Sequence, residues 1–337
     1  MANDEQSSIR FELQGAALQG EVPVFLASWP RPDVSWGTDS HKAIDVSDLA
    51  HWNASFARDL FEFYVTAQRY DASDVRYVTD NNHLLVKGAG GYKDHLLPFR
   101  AHSLVALADV VWVLGPDGSV ANLKSGRLQK LSFALDPTWG VLTAAANVAG
   151  QIVAVSAHGQ ILTLKKTGRK LGWESQGQVE GALGVVQGLS DSQWVVGGER
   201  GLFFHDDGRW LQILRGSRGS VTCLSVAPDG EILAGTSNGE LWAGSTSGMK
   251  RVPVDTGDKS AVGGLTRFGG ALFVAQQRLL RLTKKGFEPV TLSGFVPRLS
   301  CEAVPRLLMV EGALWVVGPF SAWRSTDGLE FLPHRWR

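Results

Sequence analysis

Only two cysteines, Cys223 and Cys301, occur in 337 residues. Two are too few for a disulfide framework, and both read as small apolar packing residues. The eight histidines are scattered, with no His-x-Glu, His-Glu-x-x-His or Cys-x-x-Cys spacing to hold a metal. No glycine-rich phosphate loop opens a helix, and no cofactor is expected. Charge of either sign is not in excess: 33 Lys and Arg balance 33 Asp and Glu. Bulk attraction to nucleic acid or anionic lipid is therefore not expected. No apolar run reaches the length of a membrane span. The polar stretch Met1 to Arg10 lacks the apolar core of a signal peptide. These absences lead us to expect a cytosolic chain whose residues 1–8 form a disordered tail.

What is abundant is glycine, with 39 residues, and tryptophan, with 12. From Ala101 onward three turn signals recur in fixed order. The first runs Asp109, Gly150, Asp191, Gly230, Gly270, Gly312. The second is Gly118, Gly159, Gly201, Gly239, with Leu279 and Ser321 in the last two places. The third is Gly126, Gly168, Gly208, Gly248, Gly286, Gly328. Successive members lie roughly 38 to 42 residues apart, a period that indicates a solenoid, a propeller or an array. Short β-branched or aromatic runs such as Val110 to Leu114, Ile152 to Val155 and Leu314 to Val317 lie between the turns and favour strands over helix. Each unit reads as four strands joined by hairpins. In the second unit these are Thr143 to Asn147, Ile152 to Val155, Ile161 to Lys165 and Arg169 to Trp173. A unit this size cannot cover both its faces alone; radial stacking does so, which predicts an all-β propeller of four-stranded antiparallel blades.

The last unit contains Ser325-Thr326-Asp327-Gly328-Leu329-Glu330-Phe331. This resembles the Asp-box, Ser-x-Asp-x-Gly-x-x-Trp, of sialidase-like propellers, shortened by one residue and closed by Phe. Phe203 to Trp210 is a weaker echo. The resemblance implies a fold element, with Asp capping the turn and the aromatic packing between strands, and no activity. The sialidase catalytic motifs are absent: there is no Phe/Tyr-Arg-Ile-Pro, and all four tyrosines precede the clear repeats.

Residues 101–337 thus divide into six regular blades, and residues 9–100 form the N-terminal part of the same propeller. Strands are expected at Ile9 to Leu13, Val22 to Ser28, Val34 to Gly37 and Lys42 to Val46, with Pro30 and Pro32 fixing a loop. Residues 48–68 change period: Leu49, Trp52, Phe56, Leu60, Phe63, Tyr64 and Ala67 make the stripe of an amphipathic helix packed on the propeller rim. Strands resume at Val75 to Val78, Leu84 to Lys87 and His95 to Phe99, with turns at Asn81-Asn82 and Gly90-Gly91. Seven blades is the expected count, with eight and six as alternatives.

In a propeller, turns between second and third strands share a face with the loops between blades. The residue before the turn glycine, or its equivalent, is Asp117, His158, Arg200, Asn238, Arg278 and Phe320. Variation at matched positions on a rigid frame suits a binding surface, whereas Asp and Asn also serve turn geometry. Loops between blades add Arg215 and Arg218. Together with Arg278 and Arg298 these form candidates for an anionic group, since guanidinium forks match carboxylates and phosphates. Turns between third and fourth strands carry Lys124, Lys165, Lys166, Lys170, Arg209 and Lys285, which predicts a basic outer ring on the opposite face, around a more acidic centre.

No catalytic set can be assembled from these residues. The sequence therefore predicts a non-catalytic scaffold that recognises another protein through one face of the disc. One concrete form is a cytosolic bacterial protein that neutralises a toxin or secreted effector. A propeller hydrolase or lyase with its site at the central channel, and a small-ligand sensor, are the alternatives.

Overall fold

A computed structural model describes residues 12–19, 22–32, 77–88 and 91–333, less short stretches at 109, 132–134, 168–169, 191, 207, 228, 254–255, 293–305, 311 and 318–321. The N-terminal strands β1 (Glu12–Gln19), β2 (Val22–Pro32), β3 (Tyr77–Gly88) and β4 (Gly91–Leu96) pair in sequence order as one four-stranded antiparallel sheet. Six contiguous blades follow. The first is β5 (Ser103–Leu107), β6 (Val110–Leu114), β7 (Val120–Lys124) and β8 (Arg127–Leu131). The second is β9 (Leu142–Val148), β10 (Gln151–Ser156), β11 (Gln160–Thr167) and β12 (Lys170–Gln178). The third is β13 (Leu183–Gly188), β14 (Trp194–Gly198), β15 (Gly201–Asp206) and β16 (Arg209–Leu214). The fourth is β17 (Val221–Val226), β18 (Ile232–Thr236), β19 (Leu241–Ser245) and β20 (Gly248–Arg251). The fifth is β21 (Gly264–Phe268), β22 (Ala271–Ala275), β23 (Leu279–Thr283) and β24 (Gly286–Pro289). The sixth is β25 (Arg306–Val310), β26 (Ala313–Val317), β27 (Ala322–Ser325) and β28 (Leu332–Pro333).

The fold is an all-β propeller. Among the described residues the one helical element is a 3-10 turn at Pro137–Trp139, and no helix is long and apolar enough to cross a membrane. Among the described residues every sheet takes its four strands in sequence order, and none is exchanged between the first and last sheets. Strand β1 lies against β5 and β6 on one side and against β25 and β26 on the other.

The core sits between sheets, as radial stacking requires. Second strands are covered on both faces, and β14, β18 and β22 are buried along their whole length. That burial explains their continuous apolar character, whereas the half-exposed outermost strands β8 and β20 mix apolar with charged residues. Leu84 and Val86 of the N-terminal sheet pack with Val111, Val113 and Leu123 of the first blade. Between the fifth and sixth blades Phe273 and Leu279 meet Leu314, Val316, Trp323 and Phe331. Polar ties reinforce the stacking along the innermost strands. The Thr143 hydroxyl donates to Leu183 O at 2.6 Å, and Thr222 donates to Val262 O at 2.7 Å. Lower on the disc, Arg267 grips Glu231 of the preceding blade bidentately, its Nη2 lying 2.8 Å from Oε1.

At the last blade's outer turn the Asp327 carboxylate accepts the Leu329 and Glu330 N–H groups at 2.8 and 3.1 Å, and the Ser325 hydroxyl at 3.1 Å. Gly328 takes φ 75°, and buried Phe331 meets Phe273 edge-on with centroids 6.0 Å apart.

Three local expectations are corrected. β2 continues through Pro30 and Pro32 instead of ending in a loop there. Asn81-Asn82 is not a turn: β3 is one strand, and the register shift places both residues opposite Ser28 as an irregularity. The last unit's fourth strand, which the repeat pattern places at Leu329 to His334, is two residues long among the described residues, Leu332–Pro333. The expected helix at 48–68, the strands at Val34 to Gly37 and Lys42 to Val46, and the tail at 1–8 lie outside the described residues.

Candidate functional site: the upper face

The antiparallel meander puts turns between second and third strands on the same face as loops between blades, here called the upper face. Backbone bonds join the two sets: Ala157 N–H donates to Val141 O, Glu199 N–H to Ala182 O and Ser237 N–H to Ser220 O. Side chains on these turns therefore stand on a fixed ledge.

Asp117 and Asn238 are used by their own turns. The Asp117 carboxylate accepts Ser119 N–H at 3.0 Å and the Ser119 hydroxyl at 2.8 Å. Asn238 Oδ1 accepts the Thr236 hydroxyl at 2.6 Å. His158 is exposed and braced: its Nδ1 lies 3.1 Å from Thr138 O, and its ring covers Gly140, where a Cβ would fall 2.7 Å away. A carbonyl only accepts, so Nδ1 is the donor in this contact and Nε2 is the ring nitrogen not used by it. The adjoining Pro137–Trp139 turn is capped by Asp136. The Thr138 N–H and hydroxyl both donate to that carboxylate and hold it below the usual range.

Among the arginines, Arg200 pairs with Glu180 at 2.9 Å, both side chains well exposed, so the pair contributes little. Arg215, Arg218 and Arg278 are exposed and make no ion pair among the described residues. Phe320 and Arg298 lie outside the described residues.

Two buried polar residues that sequence reasoning passed over hold this ledge together. Glu240 is 7% exposed; its Oε2 accepts the Arg218 N–H at 3.2 Å, and Oε1 lies 3.9 Å from Arg251 Nη1. Gln276, fully buried, donates through Nε2 to Asp258 O at 3.1 Å and Ser260 O at 2.9 Å. Each stands where an apolar run meets a turn, Glu240 just before Leu241 and Gln276 just after Ala275, but the sequence does not reveal its partners. Among the described residues no group of three His, Cys, Asp or Glu side chains is arranged to hold a metal ion. The expected basic residues on the opposite face, Lys124, Lys165, Lys166, Lys170, Arg209 and Lys285, are all exposed, and Lys165 pairs with Glu174 at 2.8 Å.

No family model and no curated protein matches the sequence. Solved structures do resemble the fold. Virginiamycin B lyase from Staphylococcus aureus aligns with TM-score 0.56 at 13% identity, over 72% of this chain and 87% of that one. The WD40 β-propeller domain of Doa1 aligns with TM-score 0.56 at 10% identity, over 73% of this chain and 86% of that one. The computationally designed Ika8 protein aligns with TM-score 0.55 at 15% identity, over 79% and 85%. At such identities the likeness establishes the propeller fold alone.

Proposed function

We propose that this chain is a non-catalytic propeller scaffold that binds another protein through its upper face, in the cytosol. The observation carrying this reading is that Arg215, Arg218 and Arg278 stand exposed and without ion pairs among the described residues, while Glu240, Thr236 and Gln276 lock the backbone beneath them. Rigid turns with unengaged cations suit recognition, because the backbone is already ordered and only the side chains remain to be fixed on binding. Neutralisation of a toxin or secreted effector is one concrete form of this role. In the same reading the disc has seven blades, closed by the N-terminal sheet, as the position of β1 between β5 and β25 supports. The turn at Asp327 belongs to the Asp-box type, as its hydrogen bonds support.

Blocking one face at a time tests the assignment. In a Cys301→Ser background, Gln277→Cys or Lys166→Cys would carry a bulky maleimide on the upper or lower face respectively. The partner captured from native lysate by the unlabelled chain should be lost from the first and retained by the second. Retention by both, or loss only from the lower label, would count against it.

One observation favours a second reading, a propeller enzyme: His158 presents Nε2 in a fixed orientation, as a general base would. Turnover of ester or glycoside probes that disappears in His158→Gln would support that reading over the scaffold.

A further inference from the structure

We infer that the upper face over the fourth and fifth blades carries a basic arc that takes a short acidic segment of a partner protein. The inference rests on the reading of the upper face as the binding face and adds the chemistry of what binds there. Three loop segments make the arc: residues 215–220 with Arg215 and Arg218, residues 256–263 with Lys259, and residues 276–278 with Arg278. They are contiguous through the Asn238 turn. A Cβ on Gly219 would lie 2.7 Å from Asn238 Oδ1, and one on Gly239 would lie 2.6 Å from Asp258 O and 3.2 Å from Gln276 Nε2. The Gln276 amide then joins residues 258 and 260 to the Arg278 turn.

The two described acids within this ledge, Glu240 and Asp258, are engaged internally. Glu240 is buried against the Arg218 N–H and Arg251, and Asp258 Oδ1 accepts Ser260 N–H at 2.8 Å. Arg215, Arg218, Lys259 and Arg278 remain exposed, with no ion pair among the described residues. Elsewhere on the same face the balance changes: Asp117 and Asp136 lie toward the first two blades, and Glu180 neutralises Arg200. Among the described residues, a chain of zero net charge thus gathers exposed cations without ion pairs on one sector of one face.

That segregation selects the ligand. Guanidinium groups on separate prongs match a run of Asp and Glu side chains. The three loop segments carry no aromatic residue on which a nucleic-acid base could stack.

The test measures fluorescence anisotropy of a labelled oligo-glutamate peptide with the full-length chain. Binding should occur at low ionic strength and weaken as salt rises. Arg215→Glu with Arg218→Glu, and separately Arg278→Glu, should each weaken it at least about fivefold. Arg215→Lys with Arg218→Lys should retain most of it, and Lys166→Glu with Lys170→Glu on the opposite face should leave it unchanged. Thermal melts of each variant separate lost binding from lost folding. The inference fails if the peptide does not bind, if the lower-face variant weakens binding equally, or if an oligothymidylate of the same length binds as tightly. Should the peptide not bind while face labelling still abolishes partner capture, the arc is refuted and the binding-face reading stands.

Discussion

Gly159 and Gly126 both adopt left-handed backbone, with φ 75° and 70°, but a Cβ at Gly159 would lie 2.1 Å from Val179 O while one at Gly126 meets nothing within 4 Å. Alanine at either position carries the left-handed strain of about 1–2 kcal/mol. At Gly159 it must also displace the loop entering the third blade, where Val179 N–H donates to Gly159 O at 3.0 Å. Urea denaturation should therefore show Gly159→Ala losing clearly more stability than Gly126→Ala; equal losses would mean that the loop at Val179 gives way without cost. Asp327 supplies a pH signature. Two backbone N–H groups hold its carboxyl below its ordinary value of 3.8. The stabilisation is therefore complete above that value and is lost as pH falls through the lower, folded-state value. The melting-temperature deficit of Asp327→Asn should be largest above about pH 5 and shrink toward pH 2. A deficit independent of pH would exclude the carboxylate as its source. Cys223 behaves as its composition suggests: burial pushes its thiol up to about 12, leaving a packing residue and no nucleophile at neutral pH.

Between elements, stability is concentrated where blades meet. Phe273 is fully buried, stacked edge-on to Phe331 of the next blade, with Arg281 placed 5.9 Å from its centroid. Phe273→Ala should cost about 3–5 kcal/mol in chemical denaturation, and a loss below about 1 kcal/mol would mean that the fifth and sixth blades are not joined there. The second strands were legible in the sequence because burial on both faces writes an uninterrupted apolar run between turn residues, as in β22. Outer strands were less so: β12 extends to Gln178, five residues past its expected end at Trp173. It is half-exposed, so hydrophobic pattern does not mark where pairing stops. Asn81-Asn82 misled for a related reason. Asn favours turns, but pairing with β2 on either flank, Asp80 with Trp29 and His83 with Ala27, keeps β3 extended through this stretch, and the local register absorbs the irregularity.

On the scale of the molecule, the repeat period was legible and the site only partly so. Position-matching identified the turns that share a face but not the use to which each side chain is put. Asp117 and Asn238 are bonded within their own turns, while Arg278, at the equivalent place, is left to solvent. Glu240 and Gln276 escaped notice because their partners are backbone atoms of loops distant in sequence. One further consequence follows from the continuity of every sheet in sequence. Neighbouring sheets elsewhere in the disc are tethered by the chain itself, but among the described residues the seam where β1 meets β25 and β26 is joined by side-by-side contact without a connecting segment. Thermal breathing should begin at that unlatched joint, so amide hydrogens of β25 and β26 should exchange at a lower opening free energy than those of β14 and β15. Uniform exchange would mean that the ring is as firmly held at the seam as anywhere else. That expected order would make the disc a clasp, with the contact of β1 with β25 and β26 setting how readily it springs open.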